Sequence, residues 1–127
     1  MSETTTKGIR VQVTPNYLEH ESDPTNNYWF HIYHVTIINE SDSTVQLISR
    51  HWIITNARGE EEHVRGAGVV GNQPILQPNQ RFQYTSACPL STSMGTMHGS
   101  YQMRTQDGVQ FDAEIAPFTL CDPIALN

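Results

Sequence analysis

The sequence predicts an all-β fold, an antiparallel sandwich or small barrel of seven or eight strands. Apolar and polar residues alternate with a period of two along most segments, which is typical of half-buried strands. Turn signals built from glycine, proline, asparagine and aspartate separate these segments at regular spacing. No segment keeps the apolar period of an amphipathic helix. Short strands with frequent turns are the pattern of sandwiches and small barrels.

The first part of the chain predicts two strands on either side of a polar loop. Ile9, Val11 and Val13 alternate with polar residues, and Pro15 interrupts the pattern. Residues 28–39 are aromatic or β-branched on both faces. We therefore expect the central strand of the domain there.

A hairpin is predicted in the middle of the chain. Residues 45–55 form its first strand, and Gly59 supplies the positive φ of a tight connection at residues 56–59. The returning strand, residues 60–65, carries three consecutive glutamates. Charge of this kind protects an edge strand from pairing with another molecule.

The last third predicts a further strand and a second hairpin. A Gly/Pro loop at residues 66–80 leads to a strand that begins near Arg81. The later strands alternate on both sides of Asp107-Gly108, which is a strong hairpin signal. Gly99 lies inside the first of them and indicates a β-bulge or another backbone close by.

Composition and charge argue against several functional classes. The 127 residues carry a net charge of −6 and only seven Lys and Arg, too few for the cationic surface that binds nucleic acid or anionic membrane. We recognise neither a signal peptide nor a membrane-spanning run, and so expect a cytoplasmic protein with Cys88 and Cys121 reduced. We expect residues 1–127 to form a single domain, with residues 1–6 and 121–127 flexible.

Spaced motifs cover nearly the whole chain, from Ile9 to Leu120. In order they are residues 49–55 (SRHWIIT), 65–78 (RGAGVVGNQPILQP), 82–86 (FQYTS), 89–92 (PLST), 95–103 (GTMHGSYQM) and a hairpin ending in Pro117-Phe118. In these motifs and their order the chain resembles the ApaG family.

The resemblance implies an immunoglobulin- or fibronectin-III-like sandwich. The bacterial family is associated with cobalt tolerance and magnesium efflux, and related domains of eukaryotic F-box proteins and a polymerase-interacting protein resemble protein-interaction modules. The resemblance to this family therefore implies a protein partner. One departure is Asn79, where the family usually has glycine. Because asparagine tolerates the left-handed conformation, we expect the turn to be intact.

The motif Gly66-x-Gly68-x-x-Gly71 invites a nucleotide or pyrophosphate site. That chemistry needs a strand before the glycines, a helix after them and an acidic residue about 20 residues further on. Pro74 and Pro78 disfavour the helix. Two interpretations stay open. The segment is a loop that joins two strands, which we favour, or an anion-accepting nest of backbone amides in a nucleotide- or pyrophosphate-binding protein or enzyme.

The histidines show no metal-ligand spacing, so we predict no metal and no cofactor. The six are His20, His31, His34, His51, His63 and His98. His31 and His34 are three apart on a strand and point to opposite faces. Whether His51 and His63 meet depends on the register of two strands that we expect to pair.

No catalytic residue is predicted either. Asp112 and Glu114 alternate with apolar residues and therefore indicate a solvated strand face. Cys88 could be a nucleophile only beside a histidine, and nothing in the sequence places one there. We expect a partly buried, unreactive thiol.

Aromatic residues supply a candidate partner face. Tyr28 and Trp29 begin the central strand, and Trp52 lies on the next one. If a sheet face is only partly covered, these rings would anchor a partner or a second copy of the chain, as in a homodimer. Complete burial is the alternative. We expect a non-catalytic binding module that acts through exposed loops and a sheet face.

Overall fold

In the computed structural model, which describes residues 1–126 and the side chains of residues 1–124, the chain forms two antiparallel sheets. The strands are β1 (Ser2–Thr6), β2 (Ile9–Tyr17), β3 (Trp29–Asn39), β4 (Val45–Asn56), β5 (Glu61–Ala67), β6 (Ile75–Leu76), β7 (Arg81–Leu90), β8 (Met94–Thr105) and β9 (Gln110–Cys121). Short 3₁₀ helices occupy Glu19–Glu21, Pro24–Asn26 and Pro123–Leu126.

The two sheets stack as a sandwich, which confirms the predicted fold class. The first sheet has the order β1-β2-β3-β7, and the second has the order β5-β4-β8-β9 with β6 added beside β4. The described residues form nine strands, whereas the sequence predicted seven or eight. The sequence did not predict β1 or the two-residue β6. Both hairpin strands of residues 45–67 and the edge position of β5 agree with the prediction.

The N-terminal residues 1–6, which we expected to be flexible, include the paired strand β1. Its five residues lie antiparallel to β2, from Ser2 opposite Val13 to Thr6 opposite Ile9. At the far end of the chain, Cys121 ends β9 and a 3₁₀ helix follows. Residue 127, the last of the segment expected to be flexible, lies outside the described residues.

Pro15 lies inside β2 rather than interrupting it. β1 extends only to Ser2, opposite Val13, whereas β3 pairs with β2 as far as Tyr17. Beyond Val13, β2 is therefore an edge on the β1 side. A proline that lacks a backbone N–H is tolerated at such a position.

The core lies between the sheets and is centred on β3 and β4. Tyr33, Val35 and Ile37 of β3 are buried, and Trp52 of β4 is 2% exposed. The Trp52 ring makes edge contacts with Tyr33, Tyr101 and Phe118 at centroid distances of 5.2, 6.2 and 5.9 Å. Such aromatic contacts add to the hydrophobic stabilisation of the core.

The predicted turn residues adopt the expected conformations. Gly59 and Gly108 have φ of 81° and 85° and close the two predicted hairpins, and Asn79 has a φ of 72°. The left-handed turn at residue 79 therefore persists without glycine. Gly99 also matches its prediction, because a Cβ there would overlap the carbonyl oxygen of His51 and the β8–β9 register shifts beside it.

Candidate functional site

The glycine segment is a turn between strands. Gly66 lies in β5, and after Gly71 the next regular element is the strand β6, so no helix begins there. The Gly68 amide donates to the carbonyl of Ile48 at 2.9 Å. Val69 and Asn72 exchange two backbone hydrogen bonds of 2.8 Å. Three backbone amides of this segment therefore already donate hydrogen bonds within the chain and are not free to bind an anion.

Each glycine of the motif has a local structural reason. A Cβ at Gly66 would lie 2.8 Å from Nη1 of Arg50, and a Cβ at Gly68 would overlap the carbonyl oxygen of Asn72. Gly71 has open space but a φ of 82°, which favours glycine. Arg50 also stabilises the conformation of the glycine segment, because its Nη1 donates hydrogen bonds to the carbonyls of Ala67 and Gly68 at 3.2 and 2.9 Å.

The aromatic candidates separate into buried and exposed residues. The prediction that Trp52 belongs to a partner face is wrong, because this residue lies in the core with 2% of its surface exposed. Its strand carries apolar residues on both faces, and the sequence alone did not say which face points inward. Trp29 is half-buried against the core, whereas Tyr28 is 41% exposed.

An apolar patch continues from Tyr28 across the outer face of the first sheet. Because His31 and Tyr33 point into the sandwich, their neighbours Phe30 and Ile32 point outward. The Tyr28 and Phe30 rings are stacked at 6.1 Å. We call the following set the outer patch: Tyr28, Phe30, Ile32, Ala87 and Pro89, where Ala87 lies opposite Ile32 and Pro89 opposite Phe30.

The outer patch reaches the free edge of β7. This strand of ten residues pairs with β3 only, so its other edge has no strand partner among the described residues. Its sequence, RFQYTSACPL, has one charged side chain, Arg81, at the first position. A long edge strand with so little charge is a template for pairing with another chain.

The other sheet edges differ from β7. β5 carries Glu61, Glu62, His63 and Arg65, which oppose strand pairing by another molecule. β1 and β9 lie against each other, and the Glu114 amide donates to Thr6 Oγ1 at 3.1 Å. Among the edges that the structure describes, β7 is therefore the long one that has a single charged residue and no covering strand.

The histidines of β3 point to opposite faces, as predicted, and the strand register, which the sequence left open, brings His51 and His63 together. His31 is buried and His34 is exposed, on opposite faces of β3. His51 lies opposite Arg65, and His63 lies opposite Ile53, so the two histidines are diagonal neighbours on the outer face of the second sheet. His51 Nε2 and His63 Nδ1 are 2.9 Å apart, within hydrogen-bonding distance. His98 also lies opposite Ile53, on the other flank.

Sequence reasoning missed that His31 stands directly opposite Cys88, facing the interior. Burial lowers the pKa of His31, against a smaller opposing effect of Asp122. Burial, with a contribution from Glu62, raises the pKa of Cys88 to about 12. Both groups are therefore held neutral, and this arrangement does not activate a nucleophile.

The remaining candidate groups are two carboxylates on β9 and the two cysteines. Asp112 and Glu114 are exposed on β9, as predicted for a solvated face. In residues 1–126, no group of three or more His, Cys, Asp and Glu is placed to hold a metal ion. Both cysteines are free thiols. None of the helices described in the structure is long and apolar enough to cross a membrane.

Comparisons with known proteins agree with the sequence motifs. The ApaG domain family matches residues 19–105. A protein named ApaG from Brucella canis is 53% identical over 118 residues, which cover 93% of this chain and 91% of that protein. A protein named ApaG from Dechloromonas aromatica is 49% identical over the full length of both chains.

Solved structures also include a protein that is similar to this chain in both sequence and fold. A Bordetella pertussis protein named ApaA has a TM-score of 0.88 at 45% identity, covering 91% of this chain and 94% of that one. The C-terminal domain of wzt, at 9% identity and a TM-score of 0.56, covers 94% of this chain and 76% of that chain and shares only the fold. With the family match, the close relatives and the common sandwich together, the chain belongs to the ApaG domain family.

Proposed function

We propose that this chain is a non-catalytic binding module that takes an extended segment of a partner protein alongside β7. The observation that carries the proposal is the free edge of β7, ten residues long with Arg81 as its one charge. By contrast, the edge strand β5 carries several charged residues, which oppose pairing with a partner segment.

The backbone of β7 can supply affinity for such a segment. In an antiparallel pair, alternate residues direct their N–H and C=O groups toward the partner strand, and the others direct them away. About half of the β7 residues therefore offer donors and acceptors to an added strand. Pro89 has no N–H, so we expect the pairing to lie within residues 81–88.

The outer patch can supply selectivity. Side chains of an added strand alternate between its two faces, and those on the outer face would lie beside Ala87 and Pro89. Phe30 and the exposed ring of Tyr28 extend this apolar surface. We therefore expect a partner segment with apolar residues at alternate positions and few charges.

The absence of catalysis and the link to metals are part of the proposal. Cys88 and His31 are both kept neutral by burial, and Asp112 and Glu114 are solvated, which supports a binding role. The association of the family with cobalt tolerance and magnesium efflux then acts through the partner, in a reducing cytoplasm. No feature of the glycine segment favours nucleotide binding over this role, since the amides of Gly68, Val69 and Asn72 are already bonded.

A selection of displayed random peptides tests the proposal and does not require the partner to be identified. We expect enriched sequences rich in β-branched and apolar residues with a period of two. A synthetic peptide of this kind should shift the NMR amide signals of β7. The variant Ala87→Lys places a charge beside the added strand and should weaken binding at least about tenfold, which corresponds to about 1.4 kcal/mol. Thr119→Lys, exposed on β9, is the matched control with the same charge.

The outcomes distinguish the possible occupants. Failure to enrich any such peptide, or amide shifts confined to other strands, contradicts the proposal. A concentration-dependent dimer that Ala87→Lys abolishes would assign β7 to a second copy of the chain and overturn the proposal of a different partner.

A further inference from the structure

His51 and His63 form an imidazole pair on the outer face of the second sheet. His51 is half-buried on β4 and His63 is exposed on β5. Their ring centroids are 5.1 Å apart with an interplanar angle of 32°, and the nearest nitrogens, Nε2 and Nδ1, are 2.9 Å apart. This pair lies on the sheet that does not contain β7, so its chemistry is independent of the proposed binding edge.

The separation of the two nitrogens matches the geometry of a chelate. Imidazole–metal bonds of about 2.0–2.1 Å at right angles place the two donor atoms about 2.9 Å apart, and a tetrahedral angle places them about 3.3 Å apart. The pair needs ring rotation to direct both lone pairs at one ion. It does not need any change in the strand register that sets the spacing.

We propose that His51 Nε2 and His63 Nδ1 together bind one divalent transition-metal ion at the surface of this sheet. Glu61 supports the arrangement, because its Oε1 lies 3.5 Å from the other ring nitrogen of His63, Nε2. A carboxylate in that position favours a proton on Nε2 and leaves Nδ1 free to coordinate, as in carboxylate–histidine–metal arrangements. Water completes the coordination.

The ligands and their neighbouring residues determine which metal ions the site prefers and how strongly it binds them. Two imidazoles favour zinc, nickel and copper over magnesium, which prefers oxygen ligands. Arg65, directly opposite His51, repels a cation, so the site is a surface chelate and not a structural metal centre.

Calorimetric titration of the untagged protein with zinc chloride at neutral pH tests the site. We expect saturable binding of one ion and no response to magnesium chloride. His51→Ala and His63→Ala should each weaken zinc binding at least about tenfold, the lower bound of the loss seen when supporting groups of metal sites are changed. Glu61→Gln should weaken binding by a smaller factor. The control is His34→Ala, which removes an exposed histidine from the first sheet.

His63 is exposed, so His63→Ala tests the site even if His51→Ala fails to fold. The proposal is contradicted if zinc shows no saturable binding up to millimolar concentrations. It is also contradicted if binding persists unchanged in His63→Ala, or if His34→Ala abolishes it.

Discussion

Substitution of the middle glycine of the motif tests whether this segment is built for structure. In Gly68→Ala the new Cβ would overlap the carbonyl oxygen of Asn72, at a residue whose φ is +61°. The left-handed conformation costs a non-glycine residue about 1–2 kcal/mol. Relief of the overlap must also separate Val69 from Asn72, whose two backbone hydrogen bonds contribute about 1 kcal/mol each. We expect a total loss of about 3–4 kcal/mol in the free energy of unfolding.

The matched control is Gly71→Ala, three residues along the same turn. Gly71 has a φ of +82° and nothing within 4 Å of a Cβ, so only the backbone strain of about 1–2 kcal/mol applies. Urea unfolding followed by tryptophan fluorescence measures both variants. In thermal unfolding a domain of this size shifts by about 4 °C per kcal/mol, so Gly68→Ala should lose about 12–16 °C. If Gly68→Ala is no less stable than Gly71→Ala, the close approach of Asn72 does not explain this glycine.

Three further predictions concern the core. Trp52→Ala should cost about 3–5 kcal/mol in urea unfolding because the ring fills the centre of the core, and a loss below about 1 kcal/mol would contradict its burial. The pKa of Cys88 is raised from an ordinary value of 9.0 to about 12, so its thiolate fraction at pH 8 should be about a thousandfold reduced. Mass spectrometry after iodoacetamide should then find Cys88 unmodified in the native protein and modified in urea; rapid native labelling would refute this. The pKa of His31 is lowered from 6.5, so its contribution to stability is complete above about pH 6.5 and declines as the pH falls and the unfolded chain takes up the proton. Between pH 7 and pH 5, His31→Leu should lose less unfolding free energy than the unsubstituted protein, and an equal loss would show that another group is responsible.

The sequence predicted the parts of the fold that depend on local pattern. Gly59 and Gly108 close hairpins because tight turns need positive φ, and Asn79 replaces glycine in the same conformation. The central position of β3 followed from a segment that is apolar on both faces. Gly99 was identified because a glycine inside a strand often marks a bulge or a closely packed backbone.

The missed features depend on partners that are distant in the sequence. β1 contains serine, threonine and glutamate, with no apolar alternation, and its pairing with β2 is accompanied by contacts from Glu3 to Arg10 and Gln12. Trp52 was a candidate for an exposed face because a strand that is apolar on both faces does not reveal which face is inward.

The candidate sites were the least predictable part. The contact of His51 with His63 required the β4–β5 register, in which they are diagonal rather than opposite. The position of His31 opposite Cys88 required the pairing of β3 with β7, which is separated from it by more than forty residues. The free edge of β7 followed from sheet order, which strand patterns alone do not give.

Hydrogen–deuterium exchange of the backbone amides, with and without a selected peptide, tests the binding role of β7 most directly. We predict slower exchange in the bound state at alternate residues of β7 between positions 81 and 88, with the edge strand β5 unchanged. Protection that appears at β5 or in residues 66–72 while β7 exchanges as before would contradict the account.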